Sequence, residues 1–169
     1  MDKLITLLAQ GFGIGKLATA PGTVGSLLGF GLIGILIIPK SIVFYILTAL
    51  LLALAAVPIA TRAAALLDQK DPPSVVIDEI VALPLAYFPM AAWFIRSPPQ
   101  APLIYHFIFL SILTFVLFRI FDIWKPWIIH KSQNLPRGWG IVIDDILAAA
   151  ATALIMSAII LVIYKIHFL

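Results

Sequence analysis

Five stretches of this chain run for roughly 20 residues with little or no charge, the length an α-helix needs to cross the hydrocarbon core of a bilayer. They cover residues 17–38, 41–60, 76–95, 103–121 and 141–163. Pro39-Lys40 ends the first, and Arg62 follows the second. A proline-rich stretch at 97–102 separates the third from the fourth. Pro126, Pro136, Gly138 and Gly140 break the chain before the fifth. Only 11% of the 169 residues are charged, whereas a soluble domain carries about 25%. The pattern predicts an all-α integral membrane helical bundle of about five hydrophobic helices, in a single domain over residues 1–169.

Details within the runs refine that expectation. Gly22, Gly25, Gly29, Gly31 and Gly34 make the first run a poor isolated helix but allow close helix packing, so it is also read as a re-entrant or interfacial segment. Residues 2–10 are expected to form a short amphipathic helix on the membrane surface. Pro84 and Pro89 predict kinks in the third run. Lys16 and three glycines interrupt the only stretch resembling a secretory leader, so no cleaved signal is expected.

Against this apolar background stand three acidic clusters: Asp78 with Glu79, Asp122, and Asp144 with Asp145. Ionised carboxylates beside lipid-length apolar runs are costly unless compensated, and are functional candidates by default. Alternating the five runs across a membrane puts eight Lys and Arg residues on the N-terminal side and three on the other. The positive-inside rule makes the first side cytoplasmic. All five cluster carboxylates fall on that side. Val75-Val76-Ile77-Asp78-Glu79-Ile80-Val81-Ala82 also echoes Ile141-Val142-Ile143-Asp144-Asp145-Ile146-Leu147-Ala148, which suggests two helices presenting equivalent acidic pairs.

Several carboxylates supplying only oxygen suit Mg²⁺ or Mn²⁺. A plainer reading makes each pair a partner for a helix N-terminal dipole. Asp122 lies in Phe118-Arg119-Ile120-Phe121-Asp122-Ile123-Trp124-Lys125-Pro126-Trp127, where Arg119, Asp122 and Lys125 recur three apart and share a helix face. Pro126 ends that helix, and Trp124 and Trp127 suit the interfacial belt. A glycine-rich segment, residues 11–26, offers backbone N–H groups to an anion but lacks a P-loop ending. His106, His130 and His167 have no metal-like spacing and are read as structural. With no cysteine, disulfides, thiolate metal sites and cysteine-based phosphatase chemistry are excluded. No basic, aromatic-interleaved tract supports nucleic-acid binding.

Ala20-Pro21-Gly22-Thr23-Val24-Gly25-Ser26, the Asp78-Glu79 pair, the segment from Phe118 to Pro126 and Gly140-Ile141-Val142-Ile143-Asp144-Asp145 together resemble the phosphatidylglycerophosphatase A family. Their order and spacing look like that family across residues 11–149. Ala82 and Ile128 stand where the family often has glycine and proline, departures that bear on packing. The resemblance implies a Mg²⁺-dependent phosphatase converting phosphatidylglycerophosphate to phosphatidylglycerol in bacterial membranes; with the charge asymmetry, the expectation is a multi-pass protein of the bacterial inner (cytoplasmic) membrane with its active site facing the cytoplasm. It also implies one helix surrounded by others. On this reading Asp78, Glu79, Asp122, Asp144 and Asp145 are metal ligands and, with Lys125, the catalytic set. Thr23, Ser26, Arg119 and Lys125 bind substrate. The competing class is a cation transporter or channel using the same acids, which predicts charge spread through the membrane depth.

Overall fold

The computed structural model describes residues 1–97 and 104–168, and the side chains of all of these except 164 and 166–168. The expected proline-rich connection at 97–102 and the side chain of His167 fall outside that description, apart from Ser97. The described residues form helices only: α1 (Asp2–Ala9), α2 (Ile14–Leu17), α3 (Pro21–Ile37), α4 (Ile42–Leu66), α5 (Ile77–Ala86), α6 (Phe88–Arg96), α7 (Ile104–Trp124), α8 (Ile128–Ser132) and α9 (Gly138–Phe168).

Among the described residues, three helices are long and apolar enough to cross a membrane: α4, α7 and residues Gly138–Ile163 of α9. Only 22–28% of their most apolar windows is buried inside the protein. Leu47, Leu51, Leu54, Phe109, Ile112 and Leu154 stand exposed along them. Water would not tolerate so much contiguous apolar surface, whereas lipid solvates it and leaves the backbone satisfied within each helix. The chain is a multi-pass membrane helical bundle.

The third expected run is broken. Helices α5 and α6 meet at Tyr87 with a bend of 49°. Pro84 lies inside α5, and Pro89 occupies the first turn of α6, where a missing N–H costs nothing. Counting the bent pair as one span gives up to four helices of crossing length among the described residues, so the expected five is not confirmed. The first run supplies α3, whose 17 residues reach only about 26 Å, short of the roughly 30 Å hydrocarbon core.

Helix α5 is the hub. It packs against α3, α4, α6, α7 and α9. Every residue from Val81 to Ala86 is buried, as expected of a helix apolar all round. Ala82, one of the two family departures, is fully enclosed, while Ile128 is exposed on α8. Small residues set the approach of α3 to α5. A methyl on Gly25 would press on Val76 Cβ at 2.7 Å, and one on Gly29 would meet Leu83 Cβ at 2.9 Å. From α4, the buried Tyr45 hydroxyl donates to the Pro84 carbonyl at 2.9 Å. Gly138 opens α9 against α4, its N–H donating to Thr61 Oγ1 at 2.9 Å. A side chain there would run into the Val57 carbonyl. These contacts bring the start of α5, the end of α7 and the first turns of α9 to one end of the bundle.

Candidate active site

At that end a cavity of about 240 Å³ is walled by Asp78, Glu79, Asp122, Lys125, Asp144 and Asp145, with the loop residues Asp71, Pro72 and Pro73 at its edge. Helix dipoles account for little of this. Asp78 and Glu79 do occupy the first turn of α5, where negative charge is favoured. But α9 begins at Gly138, so Asp144 and Asp145 lie in its second turn, beyond the strong reach of the dipole. Asp122 is near the C-terminus of α7, where a carboxylate is disfavoured.

One ligand oxygen each from Asp78, Glu79 and Asp145 lies within 4.8 Å of the others. Buried carboxylate oxygens without a hydrogen-bond partner among the described residues are Asp78 Oδ1, Glu79 Oε2, Asp144 Oδ1 and Asp145 Oδ2. Orphaned buried acceptors are costly, and carboxylates this close repel. A hard divalent cation answers both problems, so the donor set fits a metal ion.

Two cations serve the rest of the cluster. Arg119 Nη1 donates to Asp122 Oδ2 at 2.5 Å and to Ser26 Oγ at 3.3 Å, and lies 3.7 Å from Glu79 Oε1. Ser26 in turn donates to the Gly22 carbonyl at 2.8 Å. Lys125 Nζ donates to Asp144 Oδ2 at 2.5 Å and lies 3.9 Å from Asp122 Oδ1. Burial alone would lower the Lys125 ammonium, but Asp144, with Asp145 and Asp122 behind it, holds it above the ordinary lysine value. Lys125 has φ +46° and Trp127 φ +39°. Such left-handed non-glycine residues cost about 1–3 kcal/mol each and are held where surrounding contacts require them. Here the turn ends α7 while Lys125 reaches across to α9. Trp124 and Trp127 beside it are largely exposed.

The structure thus gathers six of the residues singled out in the sequence into one cavity. Thr23, Ser26 and Arg119 are not among its walls. Ser26 and Arg119 stand behind the carboxylates, and Thr23 is half-buried on the first turn of α3. His106 and His130 are exposed, and neither belongs to the cavity. Two further residues join the site. Asp71 lines the cavity from the α4–α5 loop, and Gln133, after α8, donates through Nε2 to Asp144 Oδ2 at 3.2 Å. Neither interrupts an apolar run, so nothing in the pattern marked them.

A family model for phosphatidylglycerophosphatase A matches residues 7–160. The chain belongs to the phosphatidylglycerophosphatase A family. It is 37% identical over 159 residues to "Phosphatidylglycerophosphatase A" of Haemophilus influenzae, covering 92% of this chain and 88% of that protein. The protein of the same name from Escherichia coli (strain K12) is 32% identical over 151 residues, with 87% and 78% covered. A "Putative phosphatidylinositol-3-phosphatase" of Bacteroides thetaiotaomicron is 33% identical over 163 residues, with 91% and 92% covered. No solved structure matches the chain. Family membership supports a phosphatase-type hydrolase acting on a membrane phospholipid.

Proposed function

We propose that this protein is a Mg²⁺-dependent phosphatase that hydrolyses the terminal phosphomonoester of phosphatidylglycerophosphate, giving phosphatidylglycerol and phosphate at the cytoplasmic face of the bacterial inner membrane. One observation carries the reading: three carboxylates from α5 and α9 converge, each with a buried unpartnered oxygen, at the membrane-surface end of the bundle. A lipid phosphomonoester has its charged end at that depth.

Asp78, Glu79 and Asp145 hold the ion, and Asp122 and Asp144 complete the acidic wall. When bound, Mg²⁺ supplies Lewis-acid polarisation of a phosphoryl oxygen and a bound water of lowered pKa. Water adds at phosphorus, the P–O bond to the glycerol breaks, and the glycerol oxygen leaves with a proton. Lys125, in the cavity wall, offers its ammonium to the phosphoryl oxygens as charge builds. Arg119 and Ser26 brace Glu79 and Asp122 from behind. Thr23 stands on the first turn of α3, where Pro21 has no N–H and Val24 donates to the Ala20 carbonyl at 3.2 Å, which leaves the N–H groups of Gly22 and Thr23 to meet an approaching anion.

The transporter alternative needs charge along the membrane depth. All eight acidic residues instead sit on elements at the cavity end; even Asp2 pairs there with Arg62, at 3.0 Å. The test is phosphate release from phosphatidylglycerophosphate in detergent micelles, with Mg²⁺ and with EDTA, for the native protein and Asp145→Asn. Expected is Mg²⁺-dependent release that drops by roughly a thousandfold in the folded variant, the scale of removing one central electrostatic group. Phosphatidylinositol 3-phosphate is run alongside, because one relative's name points to it. No release from phosphatidylglycerophosphate by folded native protein would overturn the proposal, and release from the inositol lipid alone would transfer the same chemistry to that substrate.

A further inference from the structure

A second cavity, about 220 Å³, adjoins the carboxylate cavity and is lined by Lys70, Asp71, Gln133, Arg137, Gly140 and Ile141. Asp71 and Ile141 wall both, so the two are neighbours across a shared partition. Gln133 also joins them, since the amide that lines the second cavity donates to Asp144 of the first.

The character of the two cavities differs. The first is dominated by carboxylates, whereas the second brings together two cations from distant parts of the chain, Lys70 before α5 and Arg137 before α9. Neither forms an ion pair among the described residues, in contrast to Arg119 and Lys125. Arg137 is held at φ +58°, a conformation an arginine adopts only at a cost. A groove lined by Thr61, Ala64, Ala65, Asp68 and Gln69 adjoins the same two cations.

Phosphatidylglycerophosphate carries two anionic groups, a terminal phosphomonoester and an internal phosphodiester separated by a glycerol. We propose that Lys70 and Arg137 form a second anion subsite that binds the internal phosphodiester of the lipid while its terminal phosphate lies in the carboxylate cavity. The subsite selects lipids bearing a phosphodiester over lipids whose only phosphate is the one to be removed. Gln133 stands between the two groups, where the connecting glycerol lies, and the Ala64–Ala65 groove leads the diacylglycerol end away. This inference rests on the function proposed above.

The test compares native protein with Lys70→Ala, Arg137→Ala and Arg137→Lys in neutral detergent micelles with Mg²⁺. Both residues are exposed, so all variants should elute and melt like the native protein. Kinetics on phosphatidylglycerophosphate are joined by inhibition constants for two lipids. Phosphatidylglycerol keeps the phosphodiester and lacks the terminal phosphate, and phosphatidic acid has the reverse. Each alanine variant should raise KM for phosphatidylglycerophosphate, and Ki for phosphatidylglycerol, roughly tenfold, the scale of one lost charged hydrogen bond. The larger change should fall on KM rather than kcat, with Arg137→Lys intermediate. The inhibition constant for phosphatidic acid should stay within about twofold, since its phosphate needs only the first cavity. Equal weakening of both inhibitors would mean that the cations merely attract anionic lipid surfaces and would overturn the subsite. Unchanged constants in an active enzyme would overturn it too, leaving the phosphatase reading intact. Native protein that releases no phosphate from phosphatidylglycerophosphate overturns both.

Discussion

A single methyl group is enough to disturb the carboxylate cluster. Gly22, on the first turn of α3, lies so close to Glu79 that a Cβ there would overlap Oε1, and it would also crowd both terminal nitrogens of Arg119 at 3.2 Å. Gly22→Ala therefore shifts Glu79 and its brace Arg119 together without substituting any residue of the cavity wall. Displacements of about 1 Å at reacting groups cost up to a hundredfold in rate. The expected outcome is a 10–100-fold loss of kcat with a melting temperature close to native; loss of the folded protein, with full specific activity in what survives, would show Gly22 to be a packing residue only. The five cluster acids were legible because each interrupts an apolar run, where charge is expensive. Asp71 and Gln133 were not, since they lie in polar connections where such residues are ordinary. The pairing of Lys125 with Asp144 was also hidden, because it depends on a left-handed turn at residue 125 that no residue type announces.

At the scale of elements, the glycine-rich first run reads as a seam for close packing, but composition does not say which glycines face a neighbour. In the structure Gly22, Gly25 and Gly29 face α5, whereas Gly31 and Gly34 have open space where a Cβ would stand. The consequence is a sharp contrast within one helix. Gly29→Leu would push against Leu83 and the Ile80 carbonyl and should destabilise by about 1–3 kcal/mol. Gly31→Leu should change stability by no more than about 0.5 kcal/mol. Unfolding in mixed micelles of rising denaturing-detergent fraction reads both, and equal effects would mean that the seam does not hold α3 to α5. The prolines of the third run announced a bend, and one is there. It falls at Tyr87, two residues before Pro89, and splits the run into α5 and α6, and hydropathy alone does not show that α5 is the hub of the bundle.

At the scale of the molecule, charge decides which way the bundle stands. Lys70, Lys125 and Arg137 lie on the connections of the cavity end and Lys131 on the short α8 beside them, whereas Lys40 and Arg96 lie at the opposite end. This asymmetry was visible in the sequence, and it does not depend on the number of full-length spans, because α3 starts beside Glu79 and leads away from it towards Lys40. The positive-inside rule then predicts that the carboxylate cavity faces the cytoplasm. The chain has no cysteine, so single cysteines report position without background. Asn134→Cys, in the exposed α8–α9 connection, and Ser97→Cys, exposed at the end of α6, mark the two faces while leaving every charge in place. In intact bacterial spheroplasts a membrane-impermeant maleimide should label residue 97 and spare residue 134 until the membrane is opened. The reverse pattern would put the site outside, where a lipid phosphatase would have to meet its substrate on the opposite leaflet. Labelling of both before opening would mean that the apolar helices do not separate two compartments, and the membrane-spanning arrangement itself would fall.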